Sequence, residues 1–284
     1  MSHVSVPKTY KLYIGGAFPR SESGRVYPVN DSSGEFVAHA AQASRKDARD
    51  AVVAARAALS GWSGTTSYNR GQVLYRIAEL LEGRRGQFID ELRATDGLTA
   101  GAARTHVNTA IDTWVWYAGW ADKYAQVAGN TNPVSGPYFN ISTPEPMGVV
   151  AAIAPQDGGL LGLVETIAPI IVSGNTAVVV ASETSPFAAI SLGEVMATSD
   201  VPGGVVNVLT GVSTEIAPWL AGHADVNGLD VSEAQHCDWV ELQIAAAETL
   251  TRVLSPTQGI EPRSLERLTF FTETKTVWHT KSLI

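Results

Sequence analysis

The chain has 284 residues, 45% apolar and 17% charged, with 20 Lys and Arg against 28 Asp and Glu for a net charge of −8. That length supports one large domain or two modest ones, and an acidic balance without a run of Lys or Arg argues against a nucleic-acid or anionic-lipid face. The single cysteine, Cys237, excludes an internal disulfide and fits a reducing cytoplasm, while the most apolar stretch, 147–172, is interrupted by Pro155, Asp157, Glu165 and Pro169, so no membrane span is expected.

Residues 1–10 hold no apolar run of the signal-peptide kind. Tyr10 to Phe18 reads as a small hairpin turning at Gly15-Gly16, and 26–42 has room for one or two strands. Ser44 followed three residues later by Asp47 is a capping-box arrangement, after which Ala48, Ala51, Val52, Ala55 and Leu59 recur at helical spacing. A second helix starts near Tyr68 with Val73, Leu74, Ile77, Leu80 and Leu81 on one side, and a short third helix covers 86–95. Trp116, Trp120 and Tyr124 fall at i, i+4 and i+8, which predicts a helix packed on a sheet through an aromatic face; a cage for a cationic ligand is the alternative. The turn-rich run 130–137 closes this N-terminal part (1–137), and an extended segment, 138–146, follows.

Residues 147–254 carry the pattern of an α/β core. Three short runs rich in Val, Ile and Ala (149–154, 176–180, 205–209) are bounded by Gly or Pro and separated by stretches long enough for crossover helices. Fully apolar strands suit a parallel sheet covered on both faces. Val240, Ile244, Ala247, Leu250 and Val253 then extend helical spacing from Trp239 to Leu254. The last part, 255–284, reads as a linker followed by a strand over 268–279, dense in β-branched and aromatic residues.

The ordered pieces Tyr117-Ala-Gly-Trp-Ala-Asp-Lys123, Pro144-Glu-Pro-Met-Gly-Val-Val150, Ala168-Pro169, Ser173-Gly-Asn-Thr176, Ser182-Glu183, Pro186 and Pro202-Gly-Gly-Val-Val-Asn-Val208 with Thr210-Gly211 resemble the aldehyde dehydrogenase superfamily. The tail 271–278 is similar to that family's C-terminal strand. The resemblance implies a Rossmann-like coenzyme-type domain with N-terminal helices and a β-strand oligomerisation arm. It also implies that the catalytic domain is missing, because only about forty residues (232–267) stand where the family has it. Neither the Glu-Leu-Gly-Gly base setting nor the Gly-Gln-x-Cys nucleophile loop has a counterpart.

In the family, an Asn in a Pro-Trp-Asn turn holds the oxyanion formed by thiolate attack. The matching turn here is Pro155-Gln156-Asp157, and the Asp157 carboxylate would repel that charge. Cys237, beside His236, is the only thiol; it lacks the nucleophile loop, and His236, Cys237 and Asp238 lack zinc spacing, so neither a catalytic residue nor a metal is expected. Vestigial coenzyme contacts fall on Pro155, Ser182 and Glu183. The family's ribose-binding Lys is Val180, and its pyrophosphate turn becomes Val231-Ser232-Glu233-Ala234. The combined loss amounts to several kcal/mol, on the order of a thousandfold in affinity. No cofactor is therefore expected, with NAD(P) left open by the resemblance. The chain is similar to the pseudo-enzymatic half of two-domain aldehyde dehydrogenases, which implies a partner that is a full-length aldehyde dehydrogenase subunit, or a second copy of itself. Two alternatives are an NAD(P)-dependent aldehyde oxidoreductase with an atypical site and a nucleotide sensor.

Overall fold

In the computed structural model, which describes Val6 and residues 8–281, the chain opens with a three-stranded sheet. Its strands β1 (Thr9–Tyr10), β2 (Val26–Asn30) and β3 (Phe36–Ala41) lie in the order β1-β3-β2, with β1 parallel and β2 antiparallel to β3. The hairpin expected over 10–18 is reduced to one turn. Gly15 and Gly16 adopt φ of 62° and 80°, and Ile14 and Ala17 exchange backbone hydrogen bonds across them. Tyr13 bridges instead to Val208 in the main sheet.

Four helices follow: α1 (Arg45–Gly64), α2 (Ser67–Gly83), α3 (Arg85–Thr95) and α4 (Ala100–Trp120). The expected capping box forms, with the Ser44 hydroxyl accepting from the Asp47 amide and the Asp47 carboxylate accepting from the Ser44 amide. Ala48, Ala51, Val52 and Ala55 face the sheet, and their small size lets α1 approach closely. Gly204 is part of the same approach: a Cβ there would lie 2.5 Å from the Ala54 carbonyl oxygen. The aromatic segment differs from expectation. α4 packs on α2, α3 and the later helix Leu161–Val172 rather than directly on the sheet, its fully buried rings are Trp114 and Tyr117, and Tyr124 begins a separate helix.

The remaining elements are α5 (Tyr124–Ala128), β4 (Asn130–Asn132), β5 (Tyr138–Pro146), β6 (Val149–Ile153), α6 (Leu161–Val172), β7 (Thr176–Val180), α7 (Pro186–Met196), β8 (Val206–Leu209), α8 (Ser213–Ala221), β9 (Gly228–Asp230), α9 (Trp239–Ala247), β10 (Arg252–Leu254), α10 (Leu265–Thr269) and β11 (Thr272–Thr280). Strands β10-β9-β6-β7-β8 form one parallel sheet. All residues of β6 and β7 are buried, and alternate side chains enter two separate cores, one on each face.

Two elements near the C-terminus correct the sequence expectation. The helix predicted to reach Leu254 ends at Ala247; Leu250 takes φ of 56°, and Arg252–Leu254 becomes the fifth parallel strand. The strand predicted from Leu268 starts only at Thr272, because Leu265–Thr269 is a helix capped by Ser264. Nor is 255–267 a free linker. Ile260 and Leu265 pack against the core and the Tyr117 hydroxyl donates to the Pro262 carbonyl; just beyond, Leu268 and Phe271 are buried and the Asn175 amide donates to the Phe271 carbonyl at 2.8 Å.

The third sheet, in the order β11-β5-β4, is the arm. β11 pairs antiparallel with β5 from Thr272↔Pro146 to Thr280↔Tyr138. Within the chain, β11 and β5 satisfy each other's backbone groups along one edge. Among the described residues, the outer edge of β11 has no strand partner.

Candidate functional site

In a parallel α/β sheet the crevice beyond the carboxyl ends of the strands is the place where ligands bind. Here it is a cleft of about 270 Å³ bordered by His106, Pro155, Asp157, Glu165, Glu233 and Arg267. Several of its polar groups are tied to one another, whereas the carboxylates of Asp157, Glu165 and Glu233 line it.

The amides leading into α6 are already engaged. The Leu161 N–H donates to His106 Nε2 at 2.8 Å, and the Gly159 N–H donates to Asp96 at 3.3 Å. Asp157, singled out in the sequence for the charge it brings to this turn, is exposed at the rim. Pro155 packs against Gly162, where a Cβ would come within 2.5 Å of its ring. The Ser182 hydroxyl donates to the Gln156 carbonyl at 2.8 Å, and the Glu183 amide donates to the Gln156 side chain at 2.9 Å. Gln156 thus ties the ends of β6 and β7 together and uses up Ser182.

Glu183 is committed to a helix end. Its Oε1 accepts from the Ser213 amide at 2.7 Å and from the Ser213 hydroxyl at 2.6 Å, so the carboxylate caps α8, where a negative charge complements the helix dipole. His236 Nε2 lies 2.8 Å from the same hydroxyl, and Cys237 Sγ lies 3.9 Å away. Ser213 stands between the carboxylate and the imidazole. A hydrolytic triad needs the imidazole between hydroxyl and carboxylate, so this cluster is a plug and not a nucleophile. Ser213 escaped the sequence reading, although a serine directly after Gly211-Val212 at a helix start is a local signal. Burial pushes the Cys237 thiol above its ordinary value, the Ser213 hydrogen bond opposes this and the Glu183 charge adds to it; that is the reverse of thiolate activation.

The groups of the turn after β9 are also engaged. Ser232 spends its amide and hydroxyl on Asp230 at 3.1 and 2.7 Å, and no helix begins there. α9 starts at Trp239, behind the carboxylate of Asp238 as its N-cap. Val180 is fully buried in the core. Beneath the cleft, the Arg267 guanidinium donates to the Asp230 carboxylate; both side chains are buried. Among the described residues, no group of three or more His, Cys, Asp or Glu is placed to hold a metal ion, and no helix is long and apolar enough to cross a membrane.

His106 gives this site a measurable pH dependence. Accepting from Leu161 requires an unprotonated Nε2, and burial holds the imidazole below its ordinary 6.5 despite the charge of Asp96. A lowered folded value means that the unfolded chain binds the proton first. This contribution is complete above pH 6.5 and is lost as pH falls through the folded value. His106→Gln keeps an acceptor oxygen but does not titrate. Between pH 6.5 and about 5 the thermal midpoint of the wild type should fall more steeply than that of the variant, and parallel curves would refute the assignment. Glu165 and Glu233, raised chiefly by burial, change stability in the opposite sense but alike in both proteins.

A five-stranded parallel sheet with helices on both faces and its crevice at the strand ends defines a Rossmann-like coenzyme-type domain, here joined to a three-stranded arm. The sequence pattern of the aldehyde dehydrogenase family matches residues 18–232, and the chain belongs to that family. Retinal dehydrogenase 2 of Gallus gallus is 33% identical over 264 residues, which is 90% of this chain and 50% of that protein. Cytosolic 10-formyltetrahydrofolate dehydrogenase of Mus musculus is 32% identical over 76% of this chain and 25% of its own length. Among solved structures, the NAD-dependent aldehyde dehydrogenase of Sinorhizobium meliloti superposes with a TM-score of 0.80 at 26% identity, over 87% of this chain and 50% of that one. The NAD+ complex of the Bacillus cereus aldehyde dehydrogenase gives the same TM-score at 23% identity, with the same coverage. The chain thus spans about half the length of most of these relatives.

Proposed function

We propose that this chain is a catalytically degenerate member of its oxidoreductase family, a structural or regulatory subunit that assembles with a complete aldehyde dehydrogenase in the cytoplasm. One observation carries this reading: the amides leading into α6 and α8 are engaged by the chain's own residues, while the three-stranded arm leaves one edge of β11 without a strand partner among the described residues. His106 and Asp96 occupy the Leu161 and Gly159 amides leading into α6, and Glu183 occupies the Ser213 amide at the start of α8. Asp157, Glu165 and Glu233 border the remaining cleft with negative charge, where an aldehyde oxyanion or a pyrophosphate would be repelled.

NAD(P) does not fit these residues. Its ribose would have to displace Ser213 from Glu183, and no helix start is available after β9 to receive its phosphates. Cys237 has neither the exposure nor the lowered thiol pKa of a nucleophile. The arm, by contrast, presents Phe139 and Ile141 to solvent at 52% and 39% exposure.

The test is native mass, measured for the chain alone and after coexpression with a full-length aldehyde dehydrogenase from the same genome. A defined mixed oligomer with no NAD-dependent heat of binding from the pure chain is expected. A monomer indifferent to the full-length enzyme would sink the assembly role. Aldehyde-dependent NADH formation that disappears in Cys237→Ser would sink the pseudoenzyme reading.

A further inference from the structure

The first sheet carries a feature unrelated to the cleft at the main sheet. Thr9 pairs with His39, and His39 with Pro28; one step along, Val26 pairs with Ala41. Side chains two apart on a strand share a face, so Thr9, Lys11, Val26, His39 and Ala41 fall on one side of this sheet. The loop from Arg20 to Arg25 folds over that side and encloses a cleft of about 260 Å³.

Four of its walls are basic: Lys11, Arg20, Arg25 and His39. Among the described residues, no acidic residue borders it. Among the described residues neither Lys11 nor Arg20 lies within ion-pair reach of a carboxylate, whereas nearby cations are matched. Arg25 has only Glu215, 3.6 Å away with both side chains about half exposed, a pairing of little worth. The larger groove between α1 and α8, about 750 Å³, shows the contrast. There Lys46 pairs with Glu22, Arg49 pairs with Asp50, and Arg45 stacks over Trp219 at 3.7 Å.

Concentrating three unmatched or weakly matched cations in one concavity is unfavourable unless an anion relieves their repulsion. It stands out further in a chain whose net charge is −8. We infer that the cleft formed by Lys11, Arg20, Arg25 and His39 is a binding site for a small multivalent anion of the phosphate class. Its volume, at or below the low end for ligand pockets, suits a phosphate or diphosphate group rather than a dinucleotide. Two guanidinium forks and an ammonium supply charge-assisted donors to several oxygens at once. The loop that carries Arg20 and Arg25 is also anchored to α1, since the buried Ser21 hydroxyl donates to Asp47 at 2.7 Å and the Glu22 amide to the same carboxylate at 3.1 Å. The backbone that carries the two arginines is therefore fixed before an anion arrives, and only their exposed side chains and that of Lys11 are left to order.

Isothermal titration of the full chain with inorganic phosphate, pyrophosphate and citrate, at ionic strength fixed with sodium chloride, tests this. Saturable 1:1 binding of pyrophosphate is expected, stronger than that of phosphate. Lys11→Met with Arg20→Met should weaken it about a hundredfold, at roughly tenfold per charged hydrogen bond. Arg93→Met with Arg104→Met removes two charges elsewhere and should leave it unchanged. Equal loss in both double variants, binding of citrate as tight as pyrophosphate, or no heat beyond dilution would each overturn the assignment. Circular dichroism of each variant separates a lost site from a lost fold.

Discussion

Arg267→Ala should cost about 3–5 kcal/mol of folding stability, the range for breaking one partner out of a buried ion pair. The Arg267 and Asp230 side chains are only 7% and 2% exposed, so the substitution strands the Asp230 carboxylate beneath the cleft. Asp230 still accepts from Ser232, which offsets only part of that cost. The pair joins α10 to the end of β9 and so fixes the tail segment across the mouth of the main sheet. Arg252 extends the same clamp, donating to the Phe270 and Thr272 carbonyls at 2.9 and 2.7 Å. Urea unfolding would report the loss as a lowered midpoint with little change in slope. Arg267→Met combined with Asp230→Leu should recover much of it, because an apolar pair leaves no charge unpaired. A loss below about 1 kcal/mol for the single substitution would mean that the tail is held by its apolar contacts alone.

Phe139→Thr with Ile141→Thr should abolish mixed assembly while leaving the subunit folded. Both side chains lie on the outer face of β5, and threonine retains strand preference. Exposed substitutions of this kind change stability by about 0.5 kcal/mol or less each. At an interface, by contrast, loss of two large apolar anchors costs about 2 kcal/mol or more apiece, enough to weaken association at least several hundredfold. Native mass of the coexpressed pair, with the thermal midpoint of the variant as a control, separates these effects. If the mixed oligomer persists at wild-type strength, the arm is not its contact surface, and the proposal would have to move to another face.

The sequence patterns that proved informative were short-ranged. The Val and Ala runs bounded by Gly or Pro located β6, β7 and β8 to within about a residue, because burial on both faces demands an unbroken apolar run. Ser44 and Asp47 located the start of α1 because a capping box is complete within four residues. Regions where two local signals competed were misread. Val253 continued a helical spacing yet belongs to β10: a three-residue edge strand is too short to show a period, and its parallel neighbour is β9, more than twenty residues earlier. Leu268 to Phe271 had strand composition, but the Ser264 cap and the fit of Leu268 into the core favoured a helical turn.

The sequence by itself determined the family, the parallel core and which residue types stand at the mouth of the sheet, Asp157 and Val180 among them. These depend on residue type and order along the chain. Only the tertiary structure decided what those positions do. It spends Glu183 on Ser213 thirty residues away, places His106 of α4 on the amide of α6, and seats Arg267 of the tail against Asp230. It also gathers Lys11, Arg20, Arg25 and His39, a cluster invisible in a sequence without a basic run. The physical reason is range. Helix caps and apolar periods are set by residues within a turn or two, whereas a hydrogen bond or a charge cluster depends on which distant segments the packing brings within about 3–4 Å.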